Sequence, residues 1–179
     1  KFISIEELYS RLEKNDTKGK LAYISFDDGW QGNLKLIPII EKYNVHITIF
    51  IAVNPIMSGN FWWEFVAKKV GYTQMQNFKN LPHDEFESQL KKIKTEVADL
   101  QRSAMTIDEL ETITKHPLIS IQSHTINHPI LTKLPDDLLD FELSESQKQL
   151  EKITGKSIFA FSYPNGSISH REINAAKKY

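Results

Sequence analysis

The sequence contains no cysteine. Disulfide scaffolds, thiolate metal sites and cysteine nucleophiles are therefore excluded, while the absence fits the cytosol and an exported bacterial protein equally. A basic excess is also missing: 22 lysines and arginines stand against 23 aspartates and glutamates, a net charge of −1. Nucleic-acid binders normally carry such an excess, so no nucleic-acid partner is expected. No apolar run approaches the roughly 20 residues that span a bilayer. There is no repeat and no low-complexity segment. Lys1-Phe2-Ile3-Ser4 has neither an initiator methionine nor a signal-peptide pattern, which reads as a piece of a longer protein. What remains is ordinary globular composition: 179 residues, 40% hydrophobic and 25% charged, enough for one domain with its own core.

The pattern alternates between helical and extended periods. Ser4 with Glu7 three residues on reads as a capping box opening a helix over 5–14. Residues 21–26 read as a buried strand ending at Asp27-Asp28-Gly29. A helix is expected over 31–43, with Leu34, Ile37, Ile40 and Tyr43 on one side and Pro38 kinking it or starting its regular part. The β-branched and aromatic run 45–53 predicts a second strand, closed by Asn54-Pro55. Residues 61–100 read as a charged helical stretch in two pieces, broken over 71–84, and 57–104 as an insertion within a single domain. Thr106 with Glu109 caps a further helix. Residues 118–122 predict a third strand, 136–154 an amphipathic helix stopped by Gly155, 157–162 a fourth strand, and Ser169 the start of a last helix. Short buried strands alternating with helices argue an α/β fold with parallel strands.

The polar clusters share one position. Asp27-Asp28 follows the first strand, His124 and His128 follow the third, and Tyr163-Pro164-Asn165-Gly166 follows the fourth. In parallel α/β folds such loops lie on one face, where sites gather. Two histidines four residues apart fall on one side of a helical turn, within reach of one ion. With one carboxylate they leave a zinc-like ion an open position for water, whose proton a second carboxylate can take. Alone, each element has a plainer reading: Asp-Asp-Gly and Pro-Asn-Gly as turns, the histidines as caps or packing. His46, His83, His116 and His170 are read as solvated or structural. Trp62 and Trp63 are read as core or rim packing, with sugar stacking by one of them the lesser reading.

Together the clusters are specific. Ile24-Ser25-Phe26-Asp27-Asp28-Gly29 resembles the first motif of the polysaccharide deacetylases, the NodB-homology domains of carbohydrate esterase family 4. Ser123-His124-Thr125-Ile126-Asn127-His128-Pro129 is similar to the second motif, and Phe161-Ser162-Tyr163-Pro164-Asn165-Gly166 to a variant of the third. The resemblance covers roughly residues 20–56 and 104–179. It implies a distorted (β/α) barrel, incomplete in this chain. It implies removal of N-acetyl, or occasionally O-acetyl, groups from a polysaccharide or oligosaccharide of a bacterial surface or capsule. By the same resemblance Asp27 is the general base, and Asp28, His124 and His128 hold a divalent metal, usually zinc. The backbone N–H of Asn165 donates to the oxyanion. Export or cell-envelope association is the family's expectation.

Two departures stand out. Many members carry an arginine that pairs with the base aspartate, and Ser162 stands there. The family's later motifs, an aspartate near the base and a Leu-x-His general acid, are expected beyond Tyr179. A truncated barrel also leaves parallel-strand edges unpaired, so association with a second copy is expected. Other readings of the cluster are a non-catalytic carbohydrate-binding module, an amidohydrolase of a small amide, and an Fe(II) oxygenase. Strand–helix alternation and the absence of a His-x-Asp spacing argue against the oxygenase.

Overall fold

The computed structural model describes all residues 1–179. Its centre is strand β2 (Ile47–Ile51), every residue of which is buried. β1 (Ser25–Phe26) and β3 (Ile119–Ser123) flank it, both parallel to it, giving the order β1-β2-β3. Ser25 lies opposite Thr48, and Ile47 through Ile51 lie opposite Ile119 through Ser123. A strand covered on both faces is expected to be apolar, which the run Ile-Thr-Ile-Phe-Ile satisfies except at the buried Thr48. Ile49, Ile51, Ile56, Phe61, Met105, Leu110 and Leu150 fill the core around it. Each contributes about 1.5–3 kcal/mol by leaving water.

The connections are helical. α1 (Ile5–Glu13) begins at Ser4, whose hydroxyl accepts from the Glu7 N–H. The expected reciprocal bond is replaced: the Glu7 carboxylate pairs with Lys1 and Arg11. Residues 31–36 form a 3-10 turn, and α2 (Ile37–Tyr43) starts regular α-helix with Pro38 in its first turn, where its missing N–H costs nothing. Ile40 is the buried residue of α2, while Tyr43, expected on the apolar side, is 63% exposed with the Lys42 ammonium over its ring. Between β2 and β3 run α3 (Val53–Ser58), α4 (Trp62–Val70), α5 (Tyr72–Phe78), α6 (His83–Glu96) and α7 (Ile107–Thr114). The Asn54-Pro55 expected to close the strand instead lies in the first turn of α3. The polar stretch expected to break the helical region holds α5. Trp62, Val66, Met75, Phe78, Phe86, Leu90 and Ile93 give α4–α6 a small core of their own. α7 carries the expected Thr106–Glu109 capping box. α8 (Asp136–Thr154) ends at Gly155 in the left-handed region, and α9 (His170–Ala176) is capped by Ser169.

Two expected strands are shorter than their composition suggests. Of residues 21–26 only Ser25 and Phe26 join the sheet, because Ala22 is bonded to the N-terminal segment at Lys1 and Ile3. The segment 157–162 makes one bridge, Phe161 to Ser123. Ahead of that bridge the Gln122 side chain intercepts the ladder, its Oε1 accepting from the N–H groups of Phe159 and Ala160 at 3.0 and 2.9 Å. The result is an open three-stranded parallel sheet within an α/β fold, as an incomplete barrel leaves.

Gly29 turns the chain out of β1. Its φ is +91°, and a Cβ there would stand 2.9 Å from Ile51 Cδ1 and 3.0 Å from Ile56 Cδ1. Gly29→Ala is therefore expected to lower the unfolding free energy by about 3 kcal/mol, from left-handed strain plus overpacking. Gly19, at φ +90° with nothing within 4 Å of an added Cβ, supplies the comparison: its alanine variant should lose about 1 kcal/mol. Urea titration of both variants checks the difference, and equal losses would remove the packing argument.

Candidate metal centre and cleft

Because the strands are parallel, the residues leaving their C-terminal ends meet on one edge. Adjacent aspartates there diverge. Asp28 takes the left-handed conformation, φ 75°, with its carbonyl accepting from the Ala52 N–H at 3.1 Å. This turns its carboxylate inward while Asp27 stays exposed. Asp28 Oδ1 lies 3.4 Å from His124 Nε2 and 3.3 Å from His128 Nε2. Asp28 Oδ2 accepts from Trp30 Nε1 at 2.9 Å. Candidate ligand atoms from these three residues all lie within 4.8 Å of one another.

The imidazoles do not converge through a helical turn, as their spacing suggested. Residues 124–128 form an irregular bend with Thr125 and His128 at φ 74° and 56°. A β-branched residue held there costs about 1–3 kcal/mol, so neighbouring bonds must fix the bend. The Thr125 hydroxyl accepts from the His128 N–H at 2.9 Å, and the carbonyls of Thr125 and Ile126 accept from the N–H groups of Val53 and Asn54. The Glu142 carboxylate accepts from the N–H groups of Ile126 and Asn127. Trp62 Nε1 donates to the His128 carbonyl at 3.0 Å.

His124 Nδ1 lies 2.8 Å from the Ser162 carbonyl. A carbonyl only accepts, so Nδ1 carries the proton and Nε2 presents a lone pair. Burial works to raise the Asp28 carboxyl, but the bonds and charge of His124 and His128 hold it well below the usual carboxylate range. Burial lowers His128, against the opposing bond to Asp28. The lowering of His128 favours the neutral imidazole that binds a metal, while the lowering of Asp28 is its response to positive charge on the imidazoles. A tetrahedral site with bonds of about 2.0–2.1 Å has neighbouring ligand atoms about 3.3 Å apart. The two Asp28–imidazole separations match that edge and the third lies within 4.8 Å, so the donor set fits a divalent ion.

Asp27 and Asn165 line the same cleft as the three ligands, a volume of ≈ 350 Å³ whose walls include Trp30, Trp63, Tyr72 and Lys79. Ser162 donates to Asp27 Oδ2 at 3.3 Å, so the residue standing where many relatives have arginine still touches this carboxylate. Asn165 is left-handed, φ 58°, its N–H takes no backbone acceptor, and its Oδ1 accepts from Lys79 Nζ at 2.7 Å. Trp62 is core, as expected. Trp63 reaches the site, its ring 4.6 Å from that of His128. Sequence reasoning passed over Trp30, Lys79 and Glu142. Only Glu142 left a signal, as an acid on the apolar stripe of α8 between Leu139 and Leu143.

Fold and site together define an α/β deacetylase-type scaffold with a two-histidine, one-carboxylate centre at its strand ends. The family model for polysaccharide deacetylases matches residues 14–179, and the chain belongs to that family. YxkH of Bacillus subtilis (strain 168), which bears a provisional polysaccharide deacetylase name, is 23% identical over 160 residues, covering 89% of this chain and 42% of YxkH. The Streptococcus pyogenes deacetylase PplD, solved with acetate, superposes with a TM-score of 0.71 at 21% identity over 99% of this chain and 61% of its own. IcaB from Ammonifex degensii gives 0.69 at 16% identity, over 99% of this chain and 65% of its own. The chain thus spans less than half of its curated relative and under two thirds of these structures.

Trp30→Phe keeps the ring packed on Phe61 at 4.3 Å but removes the donor to Asp28 Oδ2. In metal-free protein it should cost about 1.5–3 kcal/mol, the range for hydrogen bonds to charged groups. In an Asp28→Asn background most of that cost should vanish. A double-mutant cycle by chemical denaturation with no coupling would refute the assignment.

Proposed function

We propose that this chain carries the catalytic face of a metal-dependent hydrolase that removes N-acetyl or O-acetyl groups from a bacterial surface or capsular polysaccharide, acting on carbon–nitrogen bonds other than peptide bonds in the N-acetyl case. The observation that carries the proposal is the meeting of Asp28, His124 and His128 at one point of a cleft that also presents a free carboxylate, Asp27, and an unengaged N–H, that of Asn165. Bound to the three ligands, a divalent ion, zinc by the donor set, supplies Lewis acidity toward an acetyl carbonyl and lowers the pKa of water.

Further roles fall to residues of this chain, protonation of the leaving group not being among them. Asp27, exposed beside the ligands, takes the proton of the attacking water. The Asn165 N–H donates to the carbonyl oxygen as negative charge builds on it. The bond from Lys79 to the Asn165 side chain fixes the loop that aims this N–H, so no reorganisation is needed when the charge appears. His124 Nδ1–H stays on the Ser162 carbonyl and holds the ring's orientation. Trp30, Trp63 and Tyr72 offer apolar faces against which a sugar ring packs. A polymer substrate suits this open cleft better than a small amide, which would favour an enclosed pocket.

Two substitutions separate the roles. Asp28→Asn should weaken zinc binding by more than the roughly 10–100-fold that loss of an outer-shell partner costs. Asp27→Asn should leave zinc affinity within about threefold while abolishing acetate release from an N-acetylated oligosaccharide by the full-length protein. Titration calorimetry and acetate assay read the two effects. Equal loss of zinc in both variants would show the roles wrongly divided. A wild-type protein that binds zinc and the oligosaccharide but releases no acetate would favour a carbohydrate-binding role.

A further inference from the structure

α8 contributes nothing to the cleft surface, yet it holds the bend that carries both histidines. Glu142 is 5% exposed, and its whole carboxylate is spent on two consecutive residues of that bend. Oε2 accepts from the N–H groups of Ile126 and Asn127 at 2.8 and 2.9 Å, and Oε1 accepts from the Asn127 side-chain amide at 2.6 Å. Asn127 is fastened on its far side by the amide of Asn54, at the start of α3.

From the convergence of these bonds on residues 126 and 127, we propose that Glu142 is the positioning residue of the metal centre. Its carboxylate locks the bend so that His124 and His128 face Asp28. The inference rests on the metal reading of Asp28, His124 and His128 given above. Three features argue it beyond ordinary stabilisation. The bonds go only to the two residues lying between Thr125 and His128, not to α8's own helix. The segment they grip has left-handed φ at Thr125 and His128, so it does not hold this shape by backbone preference. And a buried carboxylate gripping two N–H groups gives charge-assisted bonds, the stronger and more directional kind. Without it those N–H groups would be buried and unpaired, and the bend would reorganise to satisfy them. The two Nε2 atoms would then no longer share one focus.

Positioning is separable from general support of α8. Leu150 lies eight residues further along the same helix, about 12 Å from Glu142 along its axis, fully buried in the main core, so Leu150→Ala weakens α8 without removing a hydrogen bond to residues 126 and 127. The measurements are zinc affinity by calorimetry, the visible absorption of the Co(II)-loaded chain, and metal-free thermal unfolding, all binding being read well below the unfolding transition. Glu142→Ala should bind zinc about 10–100-fold more weakly, as loss of an outer-shell partner does, and its Co(II) bands should shift. Glu142→Gln retains a carbonyl oxygen for the two N–H groups and should recover most of the affinity; it also serves should Glu142→Ala fail to fold. Leu150→Ala should keep zinc affinity within about threefold and the parent Co(II) spectrum, although its unfolding temperature falls. Parent-like zinc affinity and Co(II) bands in Glu142→Ala would overturn the proposal, as would a loss in Leu150→Ala equal to that in Glu142→Ala. If Glu142→Ala does not fold, a Glu142→Gln loss no smaller than about 100-fold would overturn it too. A parent chain that binds neither zinc nor Co(II) overturns the metal reading itself, and the positioning role with it.

Discussion

Two imidazoles gathered round one buried carboxylate form the constraint on which the site depends. Asp28 Oδ1 stands 3.3–3.4 Å from the Nε2 atoms of His124 and His128. With Nδ1 of His124 protonated by its bond to the Ser162 carbonyl, the ring's other nitrogen adds a lone pair to a carboxylate already buried. Such an arrangement is favourable only with positive charge between the partners, a proton or a metal cation. The fold resists the alternative, in which the donors turn apart, at every approach. Asp28 is held by Ala52 and Trp30, His124 by Ser162 and Ile51, and His128 by Thr125 and Trp62. These anchors come from the ends of different strands and from helices, so packing throughout the molecule is coupled to the geometry of one point.

The helices between β2 and β3 do more than lengthen a connection. α4 supplies Trp62, whose ring lies in the small core of α4–α6 and whose indole N–H ends on the His128 carbonyl. α5 supplies Tyr72, Met75 and Gln76, and its C-cap Lys79, to one wall of the cleft. Lys79 crosses to Asn165, and Lys133 bonds the carbonyls of Asn80 and Leu81. The helical segment is thereby tied to the loops on both sides of the ligands. A separate hydrophobic core lets it keep its own shape while these few polar ties set its position, a division suited to varying the cleft wall without disturbing the proposed ligands.

The site was more legible in the sequence than the sheet was. Asp27, Asp28, His124, His128 and Asn165 stood out because each follows a strand-like run, and parallel topology brings such positions together. The strands themselves were overestimated because propensity describes what a residue tolerates, not whether a partner is present. Residues 21–24 are apolar enough, but Ala22 is taken by the N-terminal segment. Residues 157–160 lose their ladder to the side-chain amide of Gln122, an effect no pattern of hydrophobicity encodes. Tyr43 fits the helical period of 31–43, yet a 3-10 turn over 31–36 rotates the phase before α2 begins, and the ring ends in solvent. The His-x3-His spacing suggested a helical turn. Two left-handed residues instead produce the same meeting of imidazoles, and left-handed backbone at threonine and histidine is visible only in three dimensions. Glu142 was readable in principle, as a charge on the buried stripe of α8, but its purpose depended on what faced that stripe.

Ser162 changes the electrostatics of Asp27 in a definite direction. An arginine beside a carboxylate contributes a permanent charge and two parallel donors, which hold the acid ionised and fix its plane. A serine hydroxyl contributes one neutral donor, at 3.3 Å here, and Asp27 is exposed. Water therefore supplies the remaining hydrogen bonds of this carboxylate in the open cleft. A serine in place of a guanidinium thus leaves this carboxylate without a permanent charge and a second parallel donor beside it. What it gives up is orientation, since a single neutral bond leaves its plane free to rotate. The serine also contributes through its backbone: the carbonyl of Ser162 fixes His124 while its hydroxyl touches Asp27. One residue thus links the proposed base to a proposed ligand, and does so through the same segment whose next turn presents the Asn165 N–H. The short stretch 162–165 places three separate contacts on the cleft, and the bridge to β3 at the preceding Phe161 registers it against the proposed ligands.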